Sequence, residues 1–271
     1  METGYVVAGF AVGLIVGMTG VGGGSLMTPI LIFFFGIKPH LAVGTDLLFA
    51  AFTKMGGTLS LARQRLIPWR VVAQLSAGSL PAAAITLLVL RELGPASTTT
   101  QQLMKHTLGV ALLLTAAATL YKVLRALPGS ARRAAPAGQA PGAASVETDP
   151  CRARHAWLPL AFGALIGSLV TLTSVGAGAI GVTVLLLLYP QLPLPRIVAA
   201  DIAYAVPLTL LAGLGHASLG SVDWGLLVQL LAGSLPGIWL GARLVTRTPE
   251  RVIRSALSVL LAWAGTKLLT V

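Results

Sequence analysis

The chain has 271 residues, of which 55% are hydrophobic and only 10% charged, and its formal net charge is +11. Soluble domains carry about 25% charged residues, so this composition, with a mean hydropathy of +0.86, excludes an ordinary soluble domain. It predicts an all-α polytopic membrane protein whose main surroundings are the lipid bilayer.

In chain order, apolar segments are read at 4–18, 25–36, 40–62, 69–90, 103–124, 156–173, 176–189, 196–216, 223–242 and 250–270. The start of the chain carries Glu2 and no basic residue, so the first segment is expected to remain in place rather than act as a cleaved signal peptide. The basic residues gather between segments: Arg63, Arg65 and Arg70, then Lys122, Arg125, Arg132, Arg133, Arg152 and Arg154, then Arg243, Arg247, Arg251 and Arg254. Loops of this kind face the cytoplasm, and the pattern argues against nucleic acid as a partner. Residues 126–155, rich in Ala, Pro, Gly and Arg, read as a flexible cytoplasmic linker between a first membrane repeat, 1–125, and a second, 156–271. The single cysteine, Cys151, offers no disulfide and no metal motif, and no cofactor is expected.

The two halves repeat. Trp69, Gln74, Leu75, Ala77, Gly78, Ser79, Leu80 and Pro81 recur as Trp224, Gln229, Leu230, Ala232, Gly233, Ser234, Leu235 and Pro236, all at an offset of 155 residues, which also pairs Asp46 with Asp201. An offset of 154 pairs Gly9 with Gly163 and Gly13 with Gly167.

Segments 4–18 and 25–36 are each too short to cross a hydrocarbon core of about 30 Å. If they formed one broken span, the basic loops 63–70 and 243–254 would fall on opposite sides of the membrane. If each glycine-rich break makes a hairpin, the second half is inverted and all the basic loops become cytoplasmic, while loop 217–222, which has no Lys or Arg, becomes external. The hairpin reading is therefore preferred. It gives two inverted-topology repeats, each a glycine-broken helical hairpin plus three transmembrane helices.

The breaks themselves, Thr19 to Ser25 and Thr171 to Ala179, mix glycine with hydroxyls. Non-helical backbone at membrane depth is tolerated where protein buries it or where it lines a cavity. Helix N-termini following such breaks carry unpaired N–H groups and partial positive charge. Two of them facing each other near the midplane would hold an anion. Close helix packing is the competing reading of the same small residues. The substrate-binding candidates are Thr19, Gly22, Gly23, Gly24, Ser25, Thr173, Ser174, Gly176 and Gly178, with Thr28 and Thr171 among the neighbouring hydroxyls.

Three ionisable residues lie inside segments. Lys54 is a further binding candidate, supplying charge for an anion or pairing with an Asp. Asp46 and Asp201 are candidates for ion or proton coupling, or else for fixing a helix end. His40 and His216 lie near segment ends and read as interfacial. Gln74 and Gln229 are placed either to join helices or to meet substrate, and Trp69 and Trp224 read as interfacial anchors.

The run "GLIVGMTGVGGGSLMTPILI", followed by "KPHLAVGTDLL" and the later "AGSLPG", resembles the sulfite exporter TauE/SafE family of membrane transporters. The resemblance covers nearly the whole chain outside 126–155. In the second half "VAAD" stands for "VGTD" and "SVGAGAIG" for "GVGGGSLM". The resemblance implies transport, by export or uptake, of small sulfur-containing anions such as sulfite or organosulfonates. The expected protein is a secondary transporter, an exporter in the bacterial inner membrane, working by alternating access on a small anionic substrate, with a homodimer as one assembly. The alternatives are an anion channel or a membrane subunit that needs a partner. No HExxH or GxSxG motif points to an enzyme.

Overall fold

The computed structural model of the chain describes residues 2–19, 24–94, 96–125, 157–244 and 250–270. Among them every regular element is a helix: α1 (Glu2–Thr19), α2 (Gly24–Phe33), α3 (Pro39–Arg63), α4 (Trp69–Leu93), α5 (Thr98–Arg125), α6 (Leu158–Thr173), α7 (Ala179–Leu188), α8 (Leu194–Ser218), α9 (Trp224–Leu244) and α10 (Glu250–Thr270). The linker expected at 126–155 lies outside the described residues.

Helix ends follow local chemistry. Proline opens α3 at Pro39 and stands at the second position of α8, Pro195, where its missing N–H is harmless. Asp223 caps α9, its Oδ1 accepting the Leu226 N–H at 3.0 Å. The helices α4, α5, α8 and α9 contain stretches both long and apolar enough to cross a bilayer unaided. At 25 residues α3 has the length as well, and it carries Asp46 and Lys54. The half-length helices α2 and α7 have 10 residues each, about 15 Å of rise, and cannot span. The protein is therefore a multi-pass membrane protein with two short helices packed against the long ones.

Glycine sets how the long helices meet. Gly9 and Gly13 of α1 lie against the carbonyls of Leu230 and Ser234 on α9, and Gly233, Gly237 and Gly241 of α9 lie against those of Val6, Phe10 and Leu14. The register rises together along both chains, so α1 and α9 run parallel. The same contact recurs between α6 and α4: Gly163 and Gly167 meet the carbonyls of Leu75 and Ser79, and Gly78 meets that of Leu160. Small residues spaced by four let backbones approach closely in an apolar solvent, where helix association depends on packing. The contacts of Gly9, Gly13 and Gly233 have their counterparts in Gly163, Gly167 and Gly78 at the 154- or 155-residue offset of the sequence repeat, whereas Gly237 and Gly241 are matched by Ala82 and Thr86.

The other two main pairings join repeat mates directly. Gly44 of α3 meets the end of α8 near His216 and Ser221, Gly213 of α8 meets Leu48, and Gly57 of α3 meets Ile202. The numbers fall on one helix as they rise on the other, so α3 and α8 are antiparallel. Thr119 of α5 shares a 2.7 Å hydrogen bond with Ser258 of α10, and Gly109 meets Gly265 and Leu269, so this pair is antiparallel too. The apolar interior divides into two clusters. One is built around Leu47, Leu75, Ile166, Val170, Tyr204 and Leu208. The other is built around Met27, Leu31, Phe49, Leu112, Leu227 and Leu230.

Trp69 and Trp224 start α4 and α9 with exposed rings, as expected of anchors. The histidines lie near helix ends, where protein covers them. His216 is fully buried and His40 nearly so, because the α3–α8 crossing at Gly44 closes over them.

A Cβ at Gly13 would fall 2.5 Å from the Ser234 carbonyl oxygen, closer than any real contact. Gly13→Val should therefore lower stability by about 1–3 kcal/mol. Gly56→Ala, where nothing lies within 4 Å, should be neutral. Thermal midpoints of the purified variants in detergent check both.

Candidate functional site

The second break is fully described and shows how the chain turns. Thr173 ends α6, and Ser174 takes a left-handed conformation with φ of 58°. Gly176 and Gly178 follow with φ of 127° and 139°, values that side chains rarely allow. The helix restarts at Ala179. Thr173 holds this turn: its hydroxyl donates to the Leu169 carbonyl at 2.6 Å and accepts the Val175 N–H at 3.1 Å. Ser174 N–H still reaches the Val170 carbonyl at 2.7 Å.

In the first break Thr19 closes α1, and Gly24 and Ser25 open α2. Gly22 and Gly23 lie outside the described residues.

Each half-length helix is met by the carboxylate of the long helix that follows it. Asp46 of α3, fully buried, accepts a hydrogen bond from Thr28 Oγ1 on α2 at 2.5 Å. Asp201 of α8 packs on the first turn of α7, where a Cβ at Gly181 would overlap its Oδ1 and approach the Tyr204 hydroxyl to 3.2 Å. A carboxylate near a helix N-terminus is favoured by the partial positive charge there. The arrangement therefore ties each half-helix to the long helix that follows it. Ser174 also lies close to the Asp46 carboxylate. Even so, Ser174 Oγ and Asp46 Oδ1 are buried without a hydrogen-bond partner.

Lys54 ties the two halves together. It is only 6% exposed, and its Nζ donates to the Ala177 carbonyl in the middle of the second break at 3.3 Å. Its charge is felt by both Asp46 and Asp201. Thus Lys54, Asp46, Asp201, Ser174, Gly176 and Gly178 gather around one break. Thr173 stands beside them with its hydroxyl committed to the backbone.

Several contacts were not foreseen. Tyr204, buried one helical turn after Asp201, sits over Gly181; spacing of three on one helix is the signal that could have placed it. Gln74 accepts a hydrogen bond from the Tyr189 hydroxyl at 2.6 Å, joining α4 to the end of α7, in line with the helix-contact reading. His216 Nε2 lies 3.0 Å from the Thr171 carbonyl, just before the break.

A bundle of apolar helices with half-length helices inside it, and buried charge where a helix is broken, is the architecture of a multi-pass membrane transporter. Comparison with known proteins gives the particular class. The family described as sulfite exporter TauE/SafE matches residues 5–268, and the chain belongs to that family. It is 33% identical over 269 residues to the probable membrane transporter protein YjnA of Bacillus subtilis (strain 168), covering 99% of this chain and 100% of the relative. It is 27% identical over 264 residues to the probable membrane transporter protein YdhB of the same organism, covering 96% and 97%. No solved structure matches it.

Thr173→Val keeps the side-chain shape and removes the hydroxyl that spans the break. The expected loss is about 1 kcal/mol or somewhat more of stability, read as a lower thermal midpoint. An unchanged midpoint would show that the turn holds without it.

Proposed function

We propose that the protein is a secondary carrier, working as an exporter, for small sulfur-containing oxyanions such as sulfite or organosulfonates. The anion binds between the two breaks. Lys54 and the first-turn N–H groups of α2 and α7 hold it, with Ser25 and Ser174 completing its coordination. The observation that carries this reading is the contact of Lys54 with the Ala177 carbonyl inside the second break. It is a buried ammonium held on a weak, replaceable acceptor, next to a helix N-terminus.

The halves 1–125 and 156–271 act in this reading as inverted repeats. The antiparallel pairing of α3 with α8, and of α5 with α10, supports it. Under a single broken span per half these repeat mates would run parallel. Exchange of the two halves' roles then opens the site to each side in turn.

Charge balance adds a coupling step. Two carboxylates around one ammonium leave one excess negative charge, and an anion added to that set is strongly disfavoured in a dry interior. Asp46 or Asp201 therefore takes up a proton, or meets a coupling cation, when the anion binds, and Lys54 turns from Ala177 to the substrate.

Purified protein in liposomes loaded with labelled sulfite or taurine-like sulfonate tests the reading. Saturable exchange against external unlabelled anion is expected. Flux that does not saturate would point to a channel, and no flux from folded protein to a missing partner or another substrate. Lys54→Ala should lower exchange by about tenfold or more, because a buried charge pair loses its partner. Lys54→Arg, which keeps the charge in a different shape, should retain part of it.

A further inference from the structure

The two half-length helices start in different surroundings. Gly181, in the first turn of α7, has no side chain, and two oxygens stand against it. A Cβ there would overlap Asp201 Oδ1 and lie 3.2 Å from the Tyr204 hydroxyl. At the 155-residue offset the positions matching Gly181 and Tyr204 are Leu26 and Phe49. Both of those side chains are buried in one apolar cluster. Where the first half has hydrocarbon at both positions, the second has a gap and a hydroxyl.

Packing accounts for the ring of Tyr204 but not for its oxygen. The ring lies in the other apolar cluster, and Phe49 shows that the matching position is filled as well by a ring alone. Tyr204 is 0% exposed, and its hydroxyl has no hydrogen-bond partner. A buried tyrosine hydroxyl ordinarily finds one, because an unpaired polar group has lost its water without compensation. The oxygen therefore costs stability in the empty protein.

What the hydroxyl offers is a donor aimed at the first turn of α7. Backbone N–H groups in a first turn lack intrahelical acceptors and favour negative charge. Lys54 approaches from α3 on the Ala177 carbonyl, two residues before the helix restarts, and its charge also acts on Asp201. Ser174 Oγ, in a residue 4% exposed, is a second buried hydroxyl without a partner, at the start of the same break. An oxyanion at this turn accepts on every oxygen. A phenol is neutral, so it donates to that anion without altering the charge balance between Lys54 and the two carboxylates. The other acceptor near the hydroxyl is Asp201 Oδ1, which stands against the same point of Gly181. Bonded to that alone, Tyr204 would be a structural contact within α8.

We propose that Tyr204 is a substrate-binding residue, its hydroxyl donating a hydrogen bond to an oxygen of the anion lodged at the first turn of α7. The site is then one-sided: α8 supplies this donor at α7, and the matching position on α3, Phe49, supplies none at α2. The assignment rests on the anion-carrier reading above.

Tyr204→Phe removes the oxygen and keeps a ring that the repeat already carries. Without anion, the thermal midpoint of this variant should equal or exceed that of the wild type, because an unpaired buried hydroxyl is gone. Exchange of labelled sulfite in liposomes should need about tenfold or more sulfite for half-saturation, since a hydrogen bond to a charged acceptor is lost. The rise in thermal midpoint that sulfite gives the folded protein should move to higher sulfite by the same factor. An unchanged half-saturating concentration would overturn the proposal and leave the carrier reading standing. A lower midpoint without anion would also overturn it, and would assign the hydroxyl to Asp201. Should Tyr204→Phe not fold, protein with Tyr5→Phe, Tyr121→Phe and Tyr189→Phe leaves Tyr204 as the one 13Cζ-tyrosine signal. Adding sulfite should move that signal, and a signal that stays in place would overturn the proposal. If folded wild-type protein neither exchanges a sulfur anion nor is stabilised by one, the carrier reading fails and the Tyr204 assignment falls with it.

Discussion

Hydrocarbon supplies no water to a broken backbone, and this chain breaks its helices inside the bundle. Each freed carbonyl or N–H must then find a protein partner or cost several kcal/mol. At the second break several of those partners are side chains. The Thr173 hydroxyl serves Leu169 and Val175, Lys54 serves Ala177, and His216 serves Thr171. Two of these three come from other helices, α3 and α8, so the break is stable only where those helices hold it. A turn satisfied by residues that can exchange partners is also a turn that can be moved.

The glycine contacts decide what moves with what. In α1–α9 and α6–α4, backbone lies on backbone over several turns, with carbonyls where a Cβ would have to be. Such interfaces have one register and little room to slide. Each joins a helix of one half to a helix of the other, so the two halves are interlocked rather than side by side. The α3–α8 crossing is different. It has glycine at separated points, Gly44, Gly57 and Gly213, and carries the buried charges between them.

Much of this was legible in the sequence because periodicity and punctuation act locally. All ten segments correspond to helices, and the glycine-rich turn after Thr171 is where α6 stops. The pairing of Asp46 with Asp201 was visible as a repeat. Their equal places against α2 and α7 needed only the rule that a carboxylate suits a helix start. That protein covers the histidines was not legible, because nearness to a segment end says nothing of which neighbour packs over that end. Gly44, the residue that lets α8 close over them, looks like any other small residue until the partner is known. Likewise the acceptor for Lys54 is 123 residues away in sequence. No local pattern could name Ala177, since a backbone carbonyl has no signature in the side chain that bears it.

The repeat is most informative where it fails. Asp46 and Asp201 match, as do Thr28 and Thr183 on the half-helices, so the framework around the two breaks is duplicated. Lys54, however, faces Thr209 at the matching position, His216 faces Leu61 and His40 faces Pro195. In the carrier proposed above, a duplicated framework would make two orientations of nearly equal energy. Perfect duplication would make them equivalent and give a bound ion no reason to prefer either. Lys54 and His216 are departures from symmetry whose side chains meet the second break. The contacts of Lys54 with Ala177 and of His216 with Thr171 are made by residues the repeat does not duplicate, and in the proposed carrier only such a differential interaction would let a bound anion shift the balance between orientations.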